Sequence, residues 1–290
     1  MSSVKPSRII PLSIVQRAIL LGGSAIGTLI DPTRGDLLAT LTETACPMPA
    51  LRRMRRMMMQ DRIGRTLLDT KPRVTDAMLE KWASTSHGKN PRTLTGAYVN
   101  YMKSYGYLPS GRADVRFLSK STLLGSLGVH KKISDAEFDD YVFILQRYRE
   151  VHDFLHALTG LDSSEYDEGL IKYFEWKQTQ LPTTFLSVCG VGIREGIVGL
   201  LQEALNAFHN QSDEHSAKGS FWRGFHWMHR LTADFHVPQH SKPGPHNLYL
   251  NHMWEKDLDA GTSLVSLREQ FGIGKHFQYE ELFHEEERAA

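Results

Sequence analysis

The sequence predicts an all-α protein, a single helical domain with a long polar insertion near its C-terminal third. Apolar residues recur with helical spacing in most segments, and no segment shows the strict alternation of a half-buried strand. Apolar residues make up 41% of the 290 residues and charged residues 23%, as in ordinary soluble globular proteins. This composition excludes disordered, collagen-like and disulfide-stapled proteins.

The N-terminal half is predicted to be a series of short helices. A buried or membrane-lying helix begins after Pro11 and ends at Asp31-Pro32, too interrupted by polar and glycine residues to span a membrane. Pro49 suits a first helical turn, and Lys71-Pro72 breaks the helical pattern. Residues 106–135 are loop-rich. The other helices predicted here are Thr33–Thr42, Pro49–Gln60, Asp61–Leu68, Thr75–Trp82 and Leu94–Tyr105.

The C-terminal half contains two helices with well-marked ends. Ser134 and Glu137 form a predicted capping box for a helix from Asp135 to Leu158, which Thr159-Gly160 ends. Ser164 caps a second helix that runs to about Gln180. The further predicted elements are a helix at Thr184–His209, an irregular surface insertion at 210–247, and helical stretches at Leu248–Glu255 and Thr262–Phe271.

Charge differs between the two ends of the chain. Residues 1–60 hold eight basic and three acidic groups, whereas residues 251–290 hold four basic and nine acidic groups. These are either solvated faces or, at the front, a basic face near an anionic membrane. Residues 1–10 are predicted to be a short arm or a weak mitochondrial presequence, residues 11–275 the helical domain, and residues 276–290 an acidic tail.

Net charge and cysteine content narrow the function classes. The net charge of +1 argues against a nucleic-acid partner, which needs a broad basic footprint. Cys46 and Cys189 are far apart and in no metal spacing, as is typical of a reducing compartment.

Histidine is the unusual residue, with 14 in the chain and ten of them after residue 200. His152 and His156 lie four residues apart on a predicted helix, so both rings project from one face and can share a metal ion. Asp153 lies at the edge of that face. Glu168 lies in the first turn of the next helix, which follows after a short connection. Its carboxylate can therefore complete the metal site with the two histidines. Such a histidine pair also arises by chance in a histidine-rich chain.

Other patterns give weaker predictions. His226 with His229, and His236 with His240, have ligand-like spacing, but they lie in the insertion and are interpreted as solvated. The glycines at 190, 192 and 196 resemble a nucleotide-binding turn, but no strand precedes them.

The motif His-Asp-x2-His-x11-Glu resembles the signature of the coenzyme Q biosynthesis protein four family. The lead-in Arg147-Tyr148-Arg149-Glu150-Val151 is similar as well. Further similar blocks run in family order along the chain: Asp31-Pro32-x-Arg34-x-Asp36, Leu51-Arg52, Asp61 with Gly64-Arg65, Pro72-Arg73, Gln178-Thr179-x-Leu181-Pro182, Trp254-Glu255, and Leu267-Arg268 with Gly272-Ile273.

The resemblance implies a mainly α-helical fold and a specific role. It implies that a divalent metal ion, zinc in that family, is bound by His152, Asp153, His156 and Glu168. It implies a peripheral protein on the matrix side of the mitochondrial inner membrane, in a multi-enzyme coenzyme Q assembly. The implied reaction removes the C1 carboxyl of a 4-hydroxy-3-methoxy-5-polyprenylbenzoate to give a 2-methoxy-6-polyprenylphenol.

The number of protein ligands on the metal decides whether the site is structural or has a free position for a substrate. If all four residues bind a tetrahedral zinc, no position is left for substrate and the site is structural. We predict an open site in which Asp153 is a weak or outer ligand; two histidines and a carboxylate would also suit Fe²⁺. Three hypotheses follow: a metal-dependent lyase, a non-catalytic lipid-binding scaffold of the same assembly, and an unrelated metal phosphohydrolase. For the phosphohydrolase, the sequence offers no convincing additional ligands.

Overall fold

The computed structural model describes residues 9–31, 34–45, 48–120, 133–192, 226, 228–237 and 248–273. No strand occurs in these ranges, and the predicted all-α fold is confirmed. The helices are α1 Ile14–Ile30, α2 Gly35–Ala45, α3 Met48–Gln60, α4 Arg62–Thr70, α5 Asp76–Ser84, α6 Leu94–Tyr105, α7 Asp135–Thr159, α8 Glu165–Thr179, α9 (residues 182–192), α10 (residues 228–234), α11 Trp254–Ala260 and α12 Leu264–Gln270.

Helix α7 lies at the centre of the fold. Every residue from 143 to 159 is buried, so this helix is covered on all sides. It contacts α3, α6, α8 and α12. Its start follows the prediction only in part: the Ser134 hydroxyl accepts from the backbone N–H of Glu137, but the Glu137 carboxylate accepts from the Tyr141 hydroxyl instead of closing a capping box.

The buried stretch of α7 also contains charged side chains, and each is paired with another part of the chain. Unpaired charges inside a protein are strongly unfavourable, so these pairs specify which elements surround the helix. The pairs are Arg147 with Glu255 of α11, Arg149 with Glu43 of α2, Glu150 with Arg73 of the α4–α5 connection, and Asp153 with Arg112 of the loop after α6.

The C-terminal segment departs from the predicted helix at Leu248–Glu255. Residues Tyr249–Asn251 form one 3-10 turn, and α11 begins only at Trp254. Arg147 explains this break, because its guanidinium takes the carbonyl oxygens of Leu250 and His252 as acceptors, at 3.0 and 2.5 Å. Those carbonyls are thus held by a side chain of α7 rather than by a helical backbone partner.

The prediction of an irregular surface insertion at 210–247 is wrong for its described part. Residues 228–234 form α10, and this helix contributes to the hydrophobic core. Met228, Leu231 and Phe235 are fully buried and have the spacing of one helical face. Residues 210–225, 227 and 238–247 of the insertion, residues 1–8 of the predicted arm and the acidic tail at 276–290 lie outside the described residues.

Helix α1 starts at a reciprocal capping box between Ser13 and Gln16, close to its predicted start. It packs mainly against α2. None of the helices in the described ranges has the length and apolar content needed to cross a membrane.

Candidate metal centre

The turn between α7 and α8 brings the predicted residues together. Gly160 ends α7 with a left-handed φ of 77°, which favours glycine and reverses the chain. The Ser164 hydroxyl then caps α8 by accepting from the Asp167 N–H. This hairpin places Glu168, in the first turn of α8, opposite the C-terminal part of α7.

His152, His156 and Glu168 form a compact cluster of possible metal ligands. The Nε2 atoms of the two histidines are 3.1 Å apart, and each lies 3.3 Å from an oxygen of Glu168. Three atoms bound to one zinc at about 2.0–2.2 Å with tetrahedral angles are separated by roughly 3.3–3.5 Å. The three side chains therefore fit a single divalent metal with little movement.

The orientation of His156 is fixed by two contacts. Its Nδ1 is 3.1 Å from the carbonyl oxygen of Leu161, which can only accept, so Nδ1 donates to that oxygen and Nε2 is the nitrogen that faces the cluster. Its ring stacks on Tyr101 with centroids 4.8 Å apart. The Tyr101 hydroxyl is in turn held by Ser163, at 2.8 Å.

His152 is oriented by Glu175, a fully buried glutamate two turns after Glu168 on α8. The Nδ1 of His152 is 2.8 Å from Glu175 Oε1, so this carboxylate accepts a hydrogen bond from Nδ1–H and Nε2 is the nitrogen that faces the cluster. Lys172 and Tyr148 donate to the other oxygen of Glu175, at 2.9 and 2.7 Å. The four polar groups thus form one buried network behind the candidate ligands.

The two carboxyl groups next to the histidines are held ionised. Burial acts to raise the pKa of Glu168, but His152 and His156 outweigh it and keep that pKa well below its usual range. Burial opposes ionisation of Glu175 as well, and Lys172 with His152 still lowers its pKa to about 2. Glu168 is therefore available as a ligand and Glu175 as a hydrogen-bond acceptor.

We predict that Glu175→Gln weakens zinc binding by roughly 10–100-fold, the usual effect of losing a carboxylate that orients a ligating histidine. The amide can present its N–H₂ to Nδ1 and favours the wrong tautomer of His152. Competition with a chromogenic chelator measures the affinity. Glu80→Gln, an exposed glutamate on α5, is the control. Equal zinc affinity in the Glu175 variant and the wild type would contradict this role.

Asp153, the fourth predicted ligand, lies outside the cluster. Its side chain is buried and forms a two-point ion pair with Arg112, whose Nε is 3.1 Å from Oδ2. This position agrees with the prediction of an open metal site in which Asp153 is a weak or outer ligand. Whether any of the four residues binds metal stays a prediction.

The cluster opens into a cavity of about 520 Å³. Helix α2, the loop after α6, and the facing sides of α7 and α8 line it. Glu168 is 28% exposed and faces this space. The described lining residues are Gly35, Asp36, Leu38, Ala39, Thr42, Gly106, Tyr107, Leu108, Ser110, Gly111, Arg112, Ala113, Leu145, Tyr148, Arg149, His152, Ser163, Glu168 and Lys172.

The other histidine pairs with ligand-like spacing, which were interpreted as solvated, form no metal-ligand cluster in the described part of the chain. His229 is exposed and pairs with the Tyr173 hydroxyl at 2.9 Å, and His236 contacts the Asp234 carbonyl. His226 is exposed, and His240 lies outside the described residues. Residues 190 and 192 belong to α9, so no nucleotide-binding turn begins there.

Several site residues were not predicted from the sequence. Lys172 and Glu175 follow Glu168 by four and seven residues, so helical spacing could have placed them on its face of α8. Arg112 follows a one-turn 3-10 helix in a loop, where no periodicity points to a partner. Tyr101 gave no signal because its role depends on how α6 packs against α7.

Comparison with known proteins assigns the family. A family model described as coenzyme Q (ubiquinone) biosynthesis protein Coq4 matches residues 7–124 and 131–198, more than half of the chain. The chain belongs to the Coq4 family. All four residues of the Coq4-like motif lie in the matched part. The blocks of resemblance near residues 254 and 267 lie beyond it.

Two curated relatives illustrate the similarity within the Coq4 family. The ubiquinone biosynthesis protein COQ4, mitochondrial, of Yarrowia lipolytica is 37% identical over 181 residues, which cover 62% of this chain and 61% of that protein. The Coccidioides immitis protein of the same name is 35% identical over 179 residues, covering 62% and 56%. The matched region therefore spans less than two thirds of these relatives.

A solved structure shares the fold. It is a Nostoc punctiforme protein whose description refers to ubiquinone biosynthesis, with a TM-score of 0.53 and 16% sequence identity. The superposition covers 88% of this chain and 98% of that one. At this identity the likeness concerns the arrangement of helices alone.

Proposed function

We propose that this Coq4-family chain is a metal-dependent lyase of coenzyme Q biosynthesis. It removes the C1 carboxyl from a 4-hydroxy-3-methoxy-5-polyprenylbenzoate and yields a 2-methoxy-6-polyprenylphenol. One observation carries the proposal: two members of the His152, His156 and Glu168 cluster, His152 and Glu168, line a cavity of about 520 Å³. A set of possible ligands beside a cavity of this size leaves room for a substrate.

The charges around the cavity favour a carboxylate ligand. Among the described lining residues, Arg112, Arg149 and Lys172 are each paired with a buried carboxylate. Asp36 is paired with Arg34. Within the described residues, the ion-pair partners of Glu168 are the two histidines, which are neutral when they bind a metal. A dication with Glu168 would leave one positive charge, which a single benzoate carboxylate balances.

The residues present supply a donor set that fits Zn²⁺, and Fe²⁺ is the alternative. Such a metal, when bound, supplies a Lewis acid that anchors and polarises a carboxylate. His152, His156 and Glu168 would hold it, and Glu175 and Leu161 orient the histidines.

The protein walls serve to orient the ring. Leu38, Leu108 and Leu145 give the cavity an apolar surface for the ring and the first part of the tail. When the bond from C1 to the carboxyl breaks without an oxidant, its electron pair stays on C1. One proton must then reach that carbon, so one CO₂ and one phenol form per proton consumed.

The cellular setting belongs to the same proposal. We infer a peripheral position on the matrix side of the mitochondrial inner membrane, with other coenzyme Q biosynthesis proteins as partners. The names of the curated relatives, which include the word mitochondrial, support the compartment.

The test uses a polyprenylated 4-hydroxy-3-methoxybenzoate labelled with ¹³C at the carboxyl, with zinc-loaded or iron-loaded protein, in air and without oxygen. The proposal predicts labelled CO₂ in amounts that match the phenol. His156→Ala and Glu168→Ala should abolish it, whereas His229→Ala, an exposed histidine, should not. Lipid binding by the wild type without any labelled CO₂ would favour the scaffold instead.

A further inference from the structure

Asp153 and Arg112 form an ion pair at the edge of the cavity. Asp153 is 2% exposed and accepts from Nε and one Nη atom of Arg112, which fixes the guanidinium plane. Arg112 is 29% exposed and lines the cavity together with Glu168. The arginine is thus held from behind by a buried carboxylate while its other edge borders the space beside the candidate ligands.

The edge of the Arg112 guanidinium that faces away from Asp153 has N–H groups available for a ligand. An arginine offers five N–H donors, and the Asp153 carboxylate takes one from Nε and one from Nη2. In the described part of the chain, no side chain or backbone oxygen accepts from Nη1. Gly35 of α2 lies near this nitrogen. A methyl group added at Gly35 would lie 3.7 Å from Nη1 and within 4 Å of no other atom, so the space beside Nη1 is open.

The charge of Arg112 does not depend on its surroundings. A guanidinium stays protonated in proteins, and the ion pair with Asp153 holds it in place. A permanently charged, planar group with free N–H donors in a cavity wall is suited to carboxylate oxygens.

We propose that Arg112 binds the carboxylate of the benzoate substrate, and that Asp153 positions Arg112 rather than serving as a metal ligand. This inference rests on the proposed function for the identity of the ligand. It has a consequence for release: the phenol product has no carboxylate, so it loses the contact with Arg112. Arg112 then adds to the metal in distinguishing the acid from its decarboxylated product.

Binding measurements test this at a temperature low enough that no CO₂ is released during the titration. Calorimetry with metal-loaded protein compares a prenylated 4-hydroxy-3-methoxybenzoate with the matching phenol, and metal content is measured in the same samples. We expect Arg112→Gln to weaken benzoate binding by roughly 10–100-fold, the effect of losing a hydrogen bond to a charged group. Phenol binding and metal content should stay unchanged. Arg112→Lys should recover part of the benzoate affinity.

Controls separate this role from folding and from metal binding. Arg112→Gln leaves Asp153 buried without its partner, so the double variant Arg112→Gln/Asp153→Asn, which is neutral at both positions, keeps the test valid if the single variant unfolds. Asp153→Asn should keep its metal and lose benzoate preference. Arg116→Gln, an exposed arginine of the same loop, should match the wild type.

Two results would overturn the inference. One is an unchanged preference for benzoate over phenol in Arg112→Gln or in the double variant. The other is loss of metal in Asp153→Asn, which would make Asp153 a ligand. If the wild type prefers benzoate through Arg112 but releases no CO₂, the inference stands and the lyase proposal fails.

Discussion

His156→Ala is expected to remove the metal from the purified protein, lowering its content from about one ion per chain to near zero after dialysis. The substitution deletes one of three possible ligands: the Nε2 of His156 lies 3.1 Å from the Nε2 of His152 and 3.3 Å from Glu168 Oε1. Glu168→Ala should have the same result, because an imidazole pair alone makes a weak site. Elemental analysis of dialysed protein gives the metal content, and circular dichroism reports whether the helices remain.

His229→Ala is the matched control for this loss. That histidine is exposed and pairs only with the Tyr173 hydroxyl in the described structure, so the metal content should not change. Full metal content in His156→Ala with intact helices would show that the metal lies elsewhere, and it would remove the basis of the proposed chemistry.

Arg147→Met is expected to cost about 3–5 kcal/mol of stability, the usual effect of removing one partner of a buried ion pair. Arg147 is 1% exposed, and its guanidinium binds Glu255 at 2.8 Å and two carbonyl oxygens of the segment before α11. Methionine fills similar volume but leaves Glu255 and both carbonyls without their donors. For a chain of this size the thermal midpoint should fall by roughly 10 °C.

Differential scanning calorimetry measures this effect, with Arg56→Met as the control. Arg56 is an exposed arginine on α3, and replacing it should change the midpoint by little. A midpoint for Arg147→Met equal to that of the control would show that Arg147 does not hold the C-terminal segment on α7.

The helices with local end signals could be predicted from the sequence. Helix α6 occupies the predicted residues Leu94–Tyr105, and α7 and α8 differ from prediction by about one residue at their ends. Caps such as Ser164 and Gly160 act within a few residues, so the sequence contains the information. The approach of Glu168 to the histidine pair follows from the same short turn.

Features set by distant contacts could not be predicted. The break before α11 depends on Arg147, which lies more than 100 residues earlier in the chain. Helix α10 was not predicted because it lies in a polar segment and buries only three large apolar residues in its described part. The pairing of Asp153 with Arg112 joins a helix to a loop 41 residues away. Spacing along one helix could only place Asp153 at the edge of the ligand face.

The most direct test of the account is the visible spectrum of the cobalt-substituted protein with and without the polyprenylated benzoate. The proposed metal site is open and has three protein ligands, His152, His156 and Glu168. Benzoate should therefore change the d–d bands in proportion to its binding, and Asp153→Asn should leave the ligand-free spectrum unchanged. A spectrum that does not respond to bound benzoate and that shifts in Asp153→Asn would indicate a closed four-ligand site and would contradict the account.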